Sequence, residues 1–338
     1  MSTGRRYQQV ELSTIDTSLL LAGILFAQSY YGQSNATEDS IRALADSIYF
    51  RVDWKWAEAR PPAVSMGWHP ENGFINADWI GYNEGMILNI LALGSPKHPA
   101  DSAAWAAWTG GYQWGTYYGQ DFVQFAPLFG HEYSHVWIDF QGIADDYMRG
   151  RGIDYFENSR RAALAQRAYA IANPGGWRGY TANVWGLTAC DGPANKSLTI
   201  GGRMRQFHTY FARGVALGDE RDDGTICPTA VGGAVPFAPA YAIPALLAMR
   251  QTYGTRLFGK YGFLDAFNPT FTASGQQETG TVDLALGWFD VDYLGIDQGP
   301  MLEMIENQRT GLIWRVMRTN PHIIAGLKKA GFTGGWLP

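Results

Sequence analysis

Two acidic side chains stand at the starts of apolar helical segments, where carboxyl groups could do chemistry. Asp16 precedes the apolar run from Leu19 to Phe26, and Glu84 precedes the run from Met86 to Leu93. A carboxylate at the start of an interior helix either faces a solvent-filled cleft or carries a large desolvation cost. Two such groups could act as general acid and general base in a hydrolysis, such as cleavage of a glycosidic bond.

Each acid also has a structural interpretation. Asp16 lies three residues after Ser13, so it could be the acid of a capping box, although Glu11 adds a second acid close by. Glu84 follows the expected cap Asn83 and could simply complement the positive end of the helix dipole. Both interpretations stay open.

The surroundings of Glu84 bear on its chemistry. Its neighbours Trp79 and Tyr82 could form an apolar pocket that raises the pKa of the carboxyl group, as a general acid needs. A helix N-terminus by itself lowers that pKa, so the pocket must have the larger effect if Glu84 is the acid.

Two further aspartates differ in their setting. Asp265 lies among aromatic and small residues outside any predicted helix, which indicates a sugar contact or a catalytic base. Asp297 directly precedes a predicted helix with Pro300 in its first turn, so we predict a structural cap there rather than a catalytic group.

The segment His131-Glu132-Tyr133-Ser134-His135 fits the H-E-x-x-H pattern of zinc peptidases. A third ligand is required, and the downstream continuations of the gluzincins and metzincins are absent, although Glu157 lies at a plausible distance along the chain. We therefore predict no metal cofactor and keep the zinc peptidase as an alternative. Otherwise His131, Tyr133 and His135 are polar groups available to bond sugar hydroxyls.

Helical periodicity dominates the sequence, so mainly helices must hold these side chains in position. It predicts an all-α chain, one domain over residues 1–338, as a ring of paired and mainly interior helices with small β-hairpins on the loop rim. The predicted helices are 14–31, 38–51, 83–93, 101–109, 127–140, 156–172, 239–253, 298–318 and 321–330, and the β-rich stretches are 225–235 and 281–289.

Composition limits the function further. The chain is 46% hydrophobic and 17% charged, with a formal net charge of -5, which indicates a globular protein and disfavours nucleic acid as a partner. The opening residues lack the apolar stretch of a signal peptide, and no run is long enough for a membrane span. We expect a soluble protein, periplasmic or cytoplasmic. Cys190 and Cys227 could pair or remain separate thiols.

Aromatic residues make up 14% of the chain, which fits either sugar stacking or a large core. Several blocks, in order along nearly the whole chain, resemble the glycoamylase-like proteins that include glycoside hydrolase family 144, the endo-β-1,2-glucanases. Among them are ELSTIDTSLLLAGILFAQ, RVDWKW, GYNEGMILNILALGSPKHP, FAPLFGHEYSHVWIDFQGIADDYM, YGFLDAFNP and LGIDQGPMLEMIENQRTGLIW.

The resemblance implies an (α/α)6 toroid and cleavage of β-1,2-glucan with inversion of configuration and without a metal. By that resemblance Glu84 is the general acid, with Asp16 as the first candidate for the partner carboxylate and Asp265 as the second. We predict substrate contacts from the remaining polar and aromatic residues of these regions, namely Glu11, Trp54, Tyr82, His131, Tyr133, His135, Trp137, Trp185, Phe267 and Gln298.

The chain departs from the family in two ways. Members normally carry some dozens of residues, including helices, before the segment that corresponds to the start of this sequence. A barrel lacking those helices would expose apolar faces and favour self-association. Glu132 stands where many relatives have Gln. A transglycosylase on the same scaffold and a non-catalytic glycan-binding remnant are therefore further alternatives to the hydrolase.

Overall fold

The computed structural model describes residues 5–338, which are mostly helical. The α-helices are α1 (Thr14–Tyr30), α2 (Ala36–Tyr49), α3 (Trp54–Ala57), α4 (Met86–Gly94), α5 (Ala104–Gly110), α6 (Phe129–Trp137), α7 (Asp146–Arg151), α8 (Tyr155–Ala172), α9 (Pro228–Gly233), α10 (Pro239–Tyr253), α11 (Gly295–Thr310), α12 (Leu312–Met317) and α13 (Pro321–Lys329). A 3-10 turn, Gly254–Arg256, follows α10.

Short antiparallel strands lie between the helices. They are β1 (Leu12–Ser13), β2 (Gly67–His69), β3 (Gly73–Phe74), β4 (Trp114–Tyr117), β5 (Gln120–Val123), β6 (Ala189–Cys190), β7 (Lys196–Ile200), β8 (Arg203–Phe207), β9 (Phe211–Ala212), β10 (Gly214–Ala216), β11 (Asp219–Arg221), β12 (Phe258–Gly259), β13 (Gly262–Phe263), β14 (Phe267–Asn268), β15 (Thr281–Asp283) and β16 (Gly287–Phe289). Their sheets have two or three strands, such as β1-β2-β3 and β14-β16-β15. A mostly helical chain with small β-hairpins is therefore confirmed.

The long periodic segments are the elements that the sequence predicts best. Helix α10 has the predicted bounds, and α8 begins one residue before its predicted start. The predicted helix 298–318 is instead two helices, because Gly311 adopts a left-handed conformation with φ of 65° and ends α11. Glycine adopts this conformation without steric cost.

The β-rich interpretation of residues 225–235 is wrong at its centre, where α9 lies. Pro228 occupies the first turn of α9, where its fixed φ suits a helix and its missing N–H is not needed. Gly232 lets the helix approach α11 closely, since a Cβ atom there would lie 2.3 Å from Cγ of Met301. Close packing of small residues, rather than β propensity, determines that the centre of this segment is helical.

The chain divides into two compact units, and the first comprises residues up to 113, 137–154 and 312–338. All residues of α4 in this unit are buried, as predicted for an interior helix. The expectation that α1 is interior is wrong, since Leu20 is 64% exposed. Helix α4 packs against α13 at backbone distance, because Cβ atoms at Gly94 and Gly326 would lie 2.2 and 2.0 Å from the carbonyl oxygens of His322 and Ile90.

Gly326→Ala should destabilise the protein through this contact. The added methyl group has no space beside the Ile90 carbonyl, so α4 and α13 must separate. Overpacking of this kind costs about 1–3 kcal/mol, and we expect a value near the upper end because the obstacle is backbone. The free energy of unfolding in urea measures it.

Gly150→Ala is the matched control, since Gly150 lies inside α7 of the same unit with nothing within 4 Å of a Cβ atom. Alanine favours a helix over glycine by about 1 kcal/mol, so this variant should be as stable as the parent or more so. Equal stability of both variants would refute the packing argument for Gly326.

The second unit comprises residues 114–136 and 155–311. In it α9 packs against α10 and α11, and α8 packs against β5. Cys190 and Cys227, left open by the sequence, form a disulfide with a Cα–Cα distance of 6.2 Å. The bond joins β6 to the residue that precedes α9. Of the helices in residues 5–338, none is both long and apolar enough to cross a membrane.

Candidate active site

Glu84 lies in the turn that leads into α4. The helix begins at Met86, three residues after the predicted start at 83, with Gly85 at its N-cap and no side-chain cap bond, so the assignment of Asn83 as the cap is wrong. Asn83 instead fixes the turn, because its Oδ1 accepts hydrogen bonds from the backbone N–H of Gly85 (2.9 Å) and from Nε1 of Trp108 (3.4 Å). Glu84 is held at the entrance of a wholly buried helix.

Burial raises the pKa of Glu84 to about 7. A hydrogen bond from its own backbone N–H opposes this shift, and the negative charge of Asp16 adds to it. Trp79 and Tyr82 are each 5% exposed, in line with the apolar surroundings expected for this carboxyl group. Desolvation therefore has the larger effect, and about half of the Glu84 side chains carry a proton at neutral pH.

Asp16 is brought toward Glu84 by contacts at the start of α1. Ser13 is the N-cap, as predicted, and its Oγ accepts a hydrogen bond from the backbone N–H of Asp16 at 3.2 Å. Nε1 of Trp79, five residues before Glu84, donates to Oγ1 of Thr14 at 2.9 Å. The Asp16 side chain is exposed, so it is accessible to solvent and to a ligand.

Glu11, five residues before Asp16 in the chain, is also exposed. It directly precedes β1, and a Cβ atom on Gly67 of the paired strand β2 would lie 2.9 Å from its Cγ. The first unit thus presents three carboxyl groups, of which Glu84 is partly enclosed and the other two face solvent.

Asp265 and Asp297 form a second carboxyl pair, in the second unit. Both are fully buried, and the charge of Asp297 acts on the Asp265 carboxyl group. Oδ2 of Asp265 also accepts from the backbone N–H of Asp191 at 2.8 Å, and Oδ1 of Asp297 accepts from the Tyr133 hydroxyl at 3.0 Å. These bonds tie together residues far apart along the chain.

The pair shares one proton. Burial raises the pKa of both carboxyl groups, and the charge of Asp297 raises that of Asp265 further. The Tyr133 hydroxyl stabilises the Asp297 anion, so the proton resides on Asp265. With its pKa raised to about 8, Asp265 is mainly protonated at neutral pH, and a protonated carboxyl group cannot act as a general base.

The structural cap predicted at Asp297 is wrong. Leu294 is the N-cap of α11, without a side-chain cap bond, and Asp297 lies in the first turn with its side chain buried against Tyr133. The predicted placement of Pro300 in the first turn fails for the same reason, since α11 begins at Gly295. No local pattern in the sequence indicates the bond to Tyr133, whose residue lies 164 positions earlier.

The zinc interpretation of the H-E-x-x-H segment does not fit the hydrogen bonds. Nε2 of His131 bonds to the carbonyl oxygen of Phe125 at 3.1 Å, and Nε2 of His135 bonds to Oγ of Ser159 at 3.0 Å. Burial lowers the pKa of both imidazoles, to about 4 and about 3, so both are neutral. The Nε2 atoms of both histidines are thus engaged in hydrogen bonds within the second unit.

Glu132 is buried as well, which separates it from the role of a peptidase base. Burial and the charge of Asp297 raise its pKa well above the usual value, which favours the neutral form. It lies against α9, where a Cβ atom on Gly233 would be 2.3 Å from Oε2. A neutral carboxyl group enclosed by a helix cannot activate water.

Full burial also overturns part of the predicted sugar contacts. Five of the residues have at most 1% of their surface exposed and cannot touch a ligand in this conformation, namely Trp54, His131, His135, Trp185 and Phe267. Tyr82, Tyr133 and Trp137 retain 5–8%, whereas Glu11 and Gln298 are more accessible. The buried rings belong to the core, which is the alternative that the aromatic composition left open.

Three acids near Asp265 were missed by the sequence reasoning. Carboxylate oxygens of Asp191, Asp290 and Asp292 all lie within 4.8 Å of one another, close enough to share a cation or a proton. Burial, together with the neighbouring acids, raises the pKa of Asp290 to about 7, so a proton relieves the repulsion at neutral pH. The pattern D-V-D at 290–292 is the only local signal of this cluster.

Comparison with known proteins gives consistent matches. A family model described as "Glycoamylase: Putative glucoamylase" matches residues 76–321. The exo β-1,2-glucooligosaccharide sophorohydrolase (non-reducing end) of Parabacteroides distasonis is 31% identical over 343 residues. That alignment covers 93% of this chain and 43% of the relative, so the chain spans less than half the length of this protein.

Solved structures agree with the sequence matches. The endo-β-1,2-glucanase from Chitinophaga pinensis, in complex with sophorotriose and glucose, is 30% identical with a TM-score of 0.80, covering 96% of this chain and 72% of that one. The β-1,2-glucanase from Parabacteroides distasonis is 29% identical with a TM-score of 0.77, covering 94% and 45%.

Proposed function

Because the chain belongs to the Glycoamylase family, as its sequence motifs predicted, we propose that it is a glycoside hydrolase that cleaves β-1,2-glucan with inversion of configuration. Similar proteins named for hydrolysis of β-1,2-linked glucans support this substrate. Both endo action and exo release of short gluco-oligosaccharides are compatible with these relatives. The (α/α)6 toroid that the family resemblance implies stays a prediction.

The observation that carries the proposal is the state of the Glu84 carboxyl group. It is partly exposed at the start of a buried helix, and its pKa of about 7 keeps a large protonated fraction near neutral pH. A general acid with such a pKa can protonate the leaving oxygen of a glycosidic bond and still be regenerated. Glu84 is therefore the proposed general acid.

Asp16 is the better partner for Glu84 than Asp265. It is exposed, and its charge acts on Glu84, whereas Asp265 is buried and its pKa is raised to about 8. In the proposed mechanism Asp16 assists the attack of water, directly or through a substrate hydroxyl group. Direct inversion requires the two carboxyl groups to lie roughly 6.5–9.5 Å apart. Asp265 then has a positioning role, in which its carboxyl group holds the backbone N–H of Asp191.

The proposed sugar contacts are those with accessible surface. Glu11 is exposed and can accept hydrogen bonds from sugar hydroxyls, and Tyr82 retains 5% of its surface for contact. Tyr133, Trp137 and Gln298 stay predictions of the sequence. We infer an oxidising compartment such as the periplasm from the disulfide between Cys190 and Cys227.

Incubation with β-1,2-, β-1,3-, β-1,4- and α-linked glucans, followed by product analysis, tests the proposal. We expect β-1,2-gluco-oligosaccharides with new reducing ends and inverted anomeric configuration. Products without new reducing ends would identify a transglycosylase, and binding without release would identify a glycan-binding remnant. Cleavage of another linkage in preference to β-1,2 would overturn the substrate assignment.

Asp16→Asn should change both the rate and its pH dependence. Loss of the proposed base should lower turnover by about 100-fold. Because the Asp16 charge raises the pKa of Glu84, its removal lowers that pKa, and the fall in activity at high pH should begin at a lower pH. The measurement is kcat for β-1,2-glucan across the pH range.

Asp39→Asn is the matched control, since Asp39 is also an aspartate in the first turn of a helix of the same unit. It lies on α2 and pairs with Arg42, and we expect no change in kcat or in the pH profile. An unchanged profile for Asp16→Asn as well would show that Asp16 does not act on Glu84.

A further inference from the structure

A cavity of about 400 Å³ in the second unit is lined by three cationic side chains. These are Arg178, which follows the loop after α8, and Arg203 and Arg205 on strand β8. The hydroxyl-bearing residues Thr270 and Thr272 lie in the same wall. The lining thus combines guanidinium groups and hydroxyl donors and includes no acidic side chain.

The three arginines lack acidic counterparts. Ion pairs of the other arginines in the second unit join, for example, Arg213 to Asp223 and Arg256 to Asp283. Within residues 5–338 none of the three cavity arginines forms such a pair. Asp222 acts on Arg205 through its charge but forms no ion pair with it, so the cavity holds three cations without a directly bonded acid in a chain with a formal net charge of -5.

Arg205 is fixed in place before any ligand arrives. Its guanidinium donates to the carbonyl oxygens of Gly175 and Gly176, at 3.2 and 2.9 Å, and lies 4.1 Å from the ring centre of Trp177. Its Nε is buried and has no hydrogen-bond partner in the part of the chain that the structure describes. A buried N–H donor without a partner lowers the stability of the folded protein, and a bound acceptor would remove this cost.

Arg203 lies beside it with freedom to adjust. Its side chain is exposed, and a Cβ atom on Gly176 would lie 2.7 Å from its Nη1. Both guanidinium groups therefore meet at Gly176, whose carbonyl Arg205 already contacts. Burial lowers the pKa of Arg205, repulsion from the charge of Arg203 lowers it further, and the charge of Asp222 opposes both effects.

Arg178 lines the cavity from the loop after α8. Its backbone N–H donates to Oγ1 of Thr270 at 2.8 Å, and its guanidinium donates to the carbonyl oxygen of Ala285. The backbone around the cavity is thereby tied between the loop after α8 and the segment after β14.

We propose that this cavity binds a tetrahedral oxyanion, namely a phosphate or sulfate group. Guanidinium groups bind such anions through paired N–H donors, and two adjacent arginines supply more donors than one carboxylate can use. Threonine hydroxyls can complete the coordination of the remaining oxygens. The anion is either free in solution or carried by a sugar, and it neutralises the charge of Arg203 and Arg205 in both cases.

Titration calorimetry with inorganic phosphate, at constant ionic strength maintained with chloride, tests the site on the full chain. We expect saturable binding of one phosphate, and inorganic sulfate should compete for the same site. Arg203→Gln should weaken binding about tenfold, and Arg203→Lys should weaken it less because the charge remains without the fork of donors. Thermal unfolding of each variant checks that it is folded.

Arg221→Gln is the control, since Arg221 is an exposed arginine of the same unit that already pairs with Asp219. It should bind phosphate like the parent. Absence of saturable binding by the parent at about 10 mM phosphate, or equal affinity of Arg203→Gln and the parent, would overturn the proposal. Glucose 6-phosphate as a second probe separates the sources, because tighter binding than inorganic phosphate indicates an anion carried by a sugar. None of these readouts depends on glucan hydrolysis.

Discussion

Glu84→Gln should lower the turnover of β-1,2-glucan by about a thousandfold, which is the effect of losing a general acid. Glutamine keeps the size of the side chain but cannot supply a proton to the leaving oxygen. Because the carboxyl group is charged only in part at neutral pH, its replacement by a neutral group should leave the fold intact. Release of reducing ends measures kcat, and binding of a gluco-oligosaccharide should change little.

Glu303→Gln is the matched control for this experiment. Burial raises the pKa of Glu303 to about 7 as well, but it lies in α11 and has no place in the proposed mechanism. Full activity of Glu303→Gln beside an inactive Glu84→Gln would tie the loss to position 84 rather than to a raised carboxyl pKa. Near-parental turnover of Glu84→Gln would overturn the assignment of Glu84 as the general acid.

The pH profile provides an independent check on the same group. A general acid works only while protonated, so activity should fall as the pH rises through a value near 7. A limb that began several units higher would point to a different acid. This expectation rests on the burial of Glu84, which is a property of the folded chain. From the sequence alone, a raised pKa could be predicted only on the condition that Trp79 and Tyr82 form an apolar pocket around the carboxyl group.

The helices could be predicted where the apolar pattern is long. Segment 239–253 has the predicted bounds, whereas α9 was interpreted as β-rich because six residues are too few for periodicity to distinguish the two structures. The start of α4 was placed too early because Asn83 is a good cap by type. The packing of Trp79 against Gly85, where a Cβ atom would lie 2.8 Å from Cε3, is a tertiary fact.

The carboxyl groups were found in the sequence, but their relations were not. Glu84 and Asp16 stand out in the sequence because each lies at the start of an apolar helical segment, and in the structure Glu84 directly precedes the N-cap of α4 and Asp16 lies in the first turn of α1. The bond between Asp265 and the backbone of Asp191 spans 74 residues and leaves no local trace. Aromatic composition likewise cannot tell a sugar platform from a core, and Trp185 belongs to the core.

The buried ion pair that supports the second unit likewise leaves no local pattern in the sequence. Arg213 is fully buried and contacts Asp223 through Nε at 2.7 Å and through Nη2 at 2.9 Å. It also donates to the carbonyl oxygens of Cys190, His208 and Thr209. Cys190 precedes Asp191, whose backbone N–H holds Asp265, so Arg213 connects the disulfide to the carboxyl pair.

Arg213→Met should therefore destabilise the protein by about 3–5 kcal/mol, because it leaves the buried Asp223 carboxylate without its counter-charge. The double variant Arg213→Met with Asp223→Leu removes both charges and should be more stable than the single one. Unfolding in guanidinium chloride measures each free energy, and the cycle gives the coupling.

An exposed pair sets the scale for this comparison. Arg221→Met breaks the ion pair with Asp219, and such surface pairs contribute about 1 kcal/mol or less. If Arg213→Met cost no more than Arg221→Met, burial of the Arg213 charge would have no energetic consequence, and the support of Asp191 and Asp265 would have to come from the disulfide alone. We expect the opposite order, because desolvation makes an unpaired interior carboxylate costly whereas water solvates an exposed one.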